Sequence, residues 1–158
     1  PDDFTFLEIN LFSYAVDSLS IEGSFQYTLI GTNAAGEKEY NLVVKDGFIS
    51  SPKYKIVWNC DYFVVQTEGN DLPKPFDDVF RFEGTSSGRG TSGSSFEVET
   101  QGNWFYDLQC IYPYGTNGVQ VMEIPDLSSR FITFSDECVS TAKMRNINIP
   151  SADLEIDY

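Results

Sequence analysis

The sequence predicts an all-β fold in a single domain over 1–158: an antiparallel β-sandwich, jelly-roll-like, with a closed β-barrel as the alternative. Three observations point there. Apolar and polar side chains alternate with period two through most of the chain, as half-buried strands require. Turn-forming residues recur about every 8–12 positions, without an internal repeat. No stretch carries the i, i+3, i+4 apolar stripe of a helix, and one helical turn over 136–143 is the most the pattern allows.

The strands follow in order. Over 3–16, Phe4, Phe6, Phe12, Tyr14 and Val16 share one phase, while Leu7, Ile9 and Leu11 share the other. A strand apolar on both faces is expected at the centre of a sheet, or bent between two sheets. Phe25, Tyr27 and Leu29 pair with Tyr40, Leu42 and Val44 across the turn-rich Gly31–Gly36. Asp46-Gly47 predicts the next reversal, into Phe48-Ile49. A strand over 54–66 and a polar connection through Pro73 and Pro75 come next. Phe80 and Phe82 end one strand, and Phe96, Val98 and Thr100 form another. Gln101-Gly102-Asn103 turns into a long strand over 104–112, and 113–118 turns again toward Val119, Val121 and Ile124. Strands at 130–134, 144–149 and 154–158 complete the count at ten or eleven. The last alternates acids with apolar residues, as an edge strand should. Between Glu83 and Ser95 only glycine, serine and threonine surround Arg89, which reads as a flexible loop. Its spacing fails the GxxxxGK[ST] phosphate loop, and the lysine is absent.

Composition excludes whole classes of function. The chain has 24 acidic and 10 basic residues, a net charge of −14, and acids dominate both halves. Binding to nucleic acid or to an anionic membrane surface needs cations in place of released counterions, so neither is expected as a partner. There is no histidine, which removes Ser-His-Asp and Cys-His triads and imidazole metal ligands. No apolar run is long enough to insert in a membrane as a helix. Met122 is the first methionine, so Pro1 is expected to be a processed or trimmed end, in keeping with a secreted, extracellular protein.

Three cysteines make no CxxC pair. Cys60 shares a strand phase with Ile56, Trp58, Tyr62 and Val64, and Cys110 with Trp104, Tyr106, Leu108 and Tyr112. Two cysteines on apolar faces of long strands predict a Cys60–Cys110 disulfide, with Cys138 reduced.

Candidate chemistry is confined to acids, amides and aromatic rings. Glu97 and Glu99 lie two apart on one strand face, and Asp107 joins them if 96–100 and 104–112 form a hairpin. Such carboxylates could serve a glycosidase, which needs one protonated and one ionised carboxyl about 5–9 Å apart. Asp77 and Asp78 are loop acids of the kind calcium uses, although no EF-hand loop is present. Tyr112 and Tyr114 flank Pro113, with Trp104 and Asn117 near in sequence. Rings cover the apolar face of a sugar while amides read its hydroxyls, so these four residues are the predicted ligand contacts. The expected function is therefore a non-catalytic extracellular binding protein for a glycan or protein surface, with no cofactor. The alternatives are a small acid-active glycoside hydrolase and a structural subunit joined by strand addition through 3–16 and 153–158.

Overall fold

A computed structural model of the chain describes residues 5–16, 18–69, 77–110, 115–148 and 153–157. Twelve strands form: β1 (Phe6–Val16), β2 (Leu19–Thr32), β3 (Lys38–Ser50), β4 (Lys55–Glu68), β5 (Val79–Arg89), β6 (Ser95–Gln101), β7 (Trp104–Asp107), β8 (Gly115–Thr116), β9 (Val119–Glu123), β10 (Arg130–Phe134), β11 (Thr141–Asn146) and β12 (Asp153–Asp157). All belong to one antiparallel sheet, and no helix occurs among the described residues, including 136–143. The sheet is not closed. β1 and β12 occupy its two edges, and the order between them follows the sequence as an up-and-down meander. Among the described residues, the strand order therefore shows no Greek-key crossover of the kind that defines a jelly roll.

Alternation divides the sheet into two faces. One carries cross-strand rows of large apolar residues: Phe25–Val44–Cys60, Tyr27–Leu42–Tyr62, and Leu29–Tyr40–Val64–Phe82–Trp104. Val44 and Val64, at the middle of these rows, are 1% and 0% exposed and anchor the core cluster. The other face presents Asn41, Asn59, Asp61, Thr85, Glu97 and Glu99.

Three expected reversals prove to be something else. Asp46-Gly47 is a bulge inside β3, which runs on to Ser50 before reversing at 51–54, where Ser51 N–H donates to Tyr54 O (2.8 Å). Asp46 holds the left-handed φ of 51°, its N–H donates to Asn59 Oδ1 (2.9 Å), and Gly47 lies beneath the Trp58 ring. Gly102 and Asn103 likewise bulge rather than turn. β6 and β7 both run antiparallel to β5, pairing Glu99 with Thr85 and then Trp104 with Phe82. The bulge Asn117-Gly118 repeats this on the facing strand, so β9 flanks β6 and β8 flanks β7.

The Gly/Ser-rich segment corrects a further expectation. Residues 83–89 are the second half of β5, paired to β4 throughout and to β6 over 85–89, and only 90–94 form a turn. Large rings sit across from the small residues. Tyr62 is the partner of Gly84, while Trp58 and Phe96 flank Gly88. A Cβ on Gly88 would lie 2.7 Å from Phe96 Cζ, and one on Gly84 would strike the Asp61 carbonyl. Side chains too small to build a core are what these rings need opposite them.

The cysteine pairing also differs from expectation. Cys110 bonds to Cys138, with Cα atoms 5.5 Å apart, and Cys60 is free and buried. The reason is the short β7. Asp107 Oδ1 accepts the Gln109 N–H (2.7 Å), turning the chain out of the sheet before Cys110. Cys110 thus meets the bend after β10, whereas Cys60 stays mid-sheet between Val44 and Ser86. Burial pushes its thiol pKa up to about 11, outweighing a backbone hydrogen bond at Val44, so it is an inert core residue.

Two measurements check this architecture. Alkylation of the unfolded, unreduced protein should label Cys60 alone, and a Cys60–Cys110 peptide would overturn the pairing; removing both bridged cysteines should cost about 3–4 kcal/mol, the chain-entropy value for a 28-residue separation. Gly88→Val should destabilise by about 1–3 kcal/mol through its clash with the Val57 carbonyl and the Phe96 ring, while Ser87→Val on the opposite face should stay within about 0.5 kcal/mol. Equal effects from the two substitutions would contradict the assigned faces.

Candidate functional site

The polar face builds a site where β4, β5, β6 and β9 lie side by side. Three rows cross it in register. The first is Val57–Arg89–Ser95, the second Asn59–Ser87–Glu97–Glu123, and the third Asp61–Thr85–Glu99–Val121. Neighbouring strands lie about 4.8 Å apart, so each row is a ladder of adjacent side chains. The first two rows line a groove of about 730 Å³, closed on its far side by the turn Ile124–Leu127. A smaller hollow of about 500 Å³ continues it along the third row.

Local chemistry fixes both walls. On one side the β5–β6 turn is pinned by Thr91, whose hydroxyl accepts the Lys55 N–H (2.7 Å) and donates to the Lys55 carbonyl (3.2 Å). On the other, Leu127 N–H closes onto Ile124 O (3.0 Å), and Asn148 Nδ2 donates to Ser128 Oγ (2.9 Å). Exposed apolar side chains, Val57 and Leu127, stand at the walls of this otherwise polar groove. Asn59 Oδ1 is committed to the Asp46 N–H, which leaves its amide NH₂ as the group the side chain can offer. Glu97 is the direct cross-strand partner of Glu123, and both side chains are exposed.

The predicted residues do not converge. Glu97 and Glu99 reach the groove, but Asp107 does not join them. β6 and β7 are consecutive along β5 instead of forming a hairpin, so Asp107 lies eight positions further along, about 25 Å at strand rise. Glu123, which does join Glu97, was not singled out by sequence. Trp104 belongs to the apolar face, with its ring 5.3 Å from Phe82 and 5.7 Å from Phe134 between centroids. Asn117 is exposed in the β8–β9 bulge, where its carbonyl accepts from Phe105 of β7 and its N–H donates to the carbonyl of Ser135, just past β10. Tyr112 and Tyr114 lie outside the described residues.

Of the two loop acids, Asp78 is held in the fold by hydrogen bonds. Asp78 Oδ1 accepts from Gln66 Nε2 (2.8 Å), and its backbone carbonyl accepts the Leu108 N–H (3.0 Å). Asp77 Oδ1 is buried without a hydrogen-bond partner among the described residues. The one group of three ligating side chains among the described residues is Asp107, Cys110 and Cys138. Both sulfurs there are spent in the disulfide, which leaves a single carboxylate. No helix among the described residues is long and apolar enough to cross a membrane. No protein-family model, curated protein or solved structure matches the chain.

Asp78 gives a prediction in pH. Burial raises its carboxyl above the usual value; the Gln66 hydrogen bond opposes this, Asp77 adds to it, and Lys38 opposes it. A folded pKa above the unfolded one penalises the native state once the group ionises. The penalty is absent below the unfolded value and complete above the folded one. Asp78→Asn keeps an acceptor for Gln66 and should therefore raise the melting temperature at pH 6–7 and leave it unchanged near pH 3. A gain that is largest at pH 3 would contradict the assignment.

Proposed function

We propose that the protein is a non-catalytic extracellular binding module whose ligand is a carbohydrate, held in the groove over β4, β5, β6 and β9. The observation that carries this is the set of in-register rows around Glu97. They supply an amide, hydroxyls, carboxylates and a guanidinium beside apolar patches at Val57 and Leu127. Polar groups at strand spacing suit hydroxyls on a pyranose edge, and apolar patches suit its C–H face. The groove volume lies within the range of small-ligand sites. The Cys110–Cys138 bridge is compatible with an oxidising, extracellular setting.

A second reading rests on one geometric fact. Directly opposed residues such as Glu97 and Glu123 have Cβ atoms about 5 Å apart, which approaches the carboxyl separation of retaining glycosidases. Both are exposed, however, whereas a catalytic acid is kept protonated by a dry site. Screening against immobilised glycans, followed by calorimetry on the best hit, tests the first reading. Glu97→Gln and Asn59→Asp, which keeps the acceptor for the Asp46 N–H and removes only the amide NH₂, should each weaken binding about tenfold or more with little change in melting temperature. Binding that survives both substitutions would remove the groove as the site, and turnover of the bound glycan between pH 4 and 7 would favour the hydrolase.

A further inference from the structure

The first strand does not stand where its composition places it. β1 is apolar on both faces, yet among the described residues it forms an edge of the sheet, paired with β2 alone. From Thr5 to Ala15 every residue except Leu11 is exposed, and Phe12 reaches 88%. Phe12 is pushed outward by a bulge with Ser13, whose φ is 56°. Natural edge strands carry guards such as lysine, proline or inward charges. Between Thr5 and Ala15 the only charged residue is Glu8, whereas the opposite edge, β12, carries Asp153, Glu155 and Asp157.

We propose that β1 is a homodimer interface, paired antiparallel to β1 of a second copy across a two-fold axis at Ile9. Three features select this occupant and this register. With a net charge of −14, two copies repel each other over most of their surfaces, and β1 is a long exposed segment nearly free of acids. β12 offers no cations to a β1 strand, so head-to-tail addition has no charge advantage. The chain also exposes 10048 Å², about 2,000 Å² more than the ~8,000 Å² expected for a compact monomer of this mass, which is ample for the ~800 Å² per partner of a standard interface.

The backbone then fixes the pairing. Leu29 N–H donates to Thr5 O (3.0 Å), so Thr5, Leu7, Ile9 and Leu11 direct their backbone groups toward β2. Phe6, Glu8 and Asn10 direct theirs to the open edge. A two-fold pairing must therefore match even-numbered residues with even-numbered ones. Centring on Glu8 would oppose two carboxylates. Centring on Ile9 instead places Glu8 against Asn10, a partner whose Nδ2 already donates to Glu8 Oε1 within one chain (2.8 Å). The same register sets Leu7 against Leu11 and Phe6 against Phe12, and it continues the apolar face of the sheet from one copy into the next.

Sedimentation velocity over a concentration series, with cysteine cross-linking, tests this. The wild-type chain should sediment as a dimer, more firmly as added salt screens the negative charge. Asn10→Pro, which deletes an outward N–H, and Ile9→Lys should each weaken the dimer at least 100-fold while the melting temperature measured on monomer changes little. Ile9 meets its own copy in a non-hydrogen-bonded pair, with Cα atoms about 4.5 Å apart, which suits a disulfide. Oxidised Ile9→Cys should therefore cross-link completely between chains, and Leu7→Cys should not. A wild-type chain that stays monomeric at high concentration overturns the proposal, as does a dimer indifferent to both edge substitutions. Equal cross-linking at positions 7 and 9 overturns the register.

Discussion

The fold depends on seating large aromatic rings over residues without side chains. Trp58 lies opposite Gly47 on one neighbouring strand and Gly88 on the other, Tyr62 opposite Gly84, and Phe96 opposite Gly88. Trp104 lies over Gly115 in the same way. The chain must place 24 aromatic side chains (13 Phe, 9 Tyr and 2 Trp), each burying 150–250 Å² when enclosed. A cross-strand partner with its own Cβ would hold such a ring off the sheet. The small residues of β5 therefore stabilise the apolar face by being absent from it.

The same strand produces the groove. Alternation means that Gly84, Ser86 and Gly88 meet the rings while Thr85, Ser87 and Arg89 turn to the polar face. The bulges then decide which residues share that face. Gly102 carries the chain from β6 into β7 along the same side of β5, and Asn117-Gly118 does so on the facing strand. Glu97 is thereby brought beside Glu123, Trp104 is delivered to the core, and Asp107 is carried away.

Much of this was legible in the sequence, and what was not has a common cause. Period-two alternation located the strands over 25–29, 40–44, 96–100 and 130–134 because each side chain reports its own face. It also found Glu97 and Glu99 on a polar face. Glu123 is 26 positions from Glu97 and meets it only through strand pairing, which alternation does not encode. Asp46-Gly47 and Gly102-Asn103 signal a left-handed residue, but a hairpin turn and a bulge need the same dihedral and differ only in where the next strand goes. Glu83–Ser95 reads as a loop because its residues have no packing value of their own; their value lies in Tyr62, Trp58 and Phe96. For Cys110, the deciding event was an Asp107 side chain ending β7 early. β1 shows the converse. Its two-sided apolarity is plain in the sequence, and the structure adds that, among the described residues, it lies at an edge of the sheet.

Amide hydrogen exchange over 83–95 tests the dependence on seated rings most directly. If this segment is a strand between β4 and β6, backbone amides over 84–89 should exchange as slowly as those of Cys60 to Val64, with fast exchange confined to 90–94. Uniformly fast exchange from Glu83 to Ser95 would show a loose loop, leaving Tyr62 and Phe96 without the seats on which the core and the groove both rest.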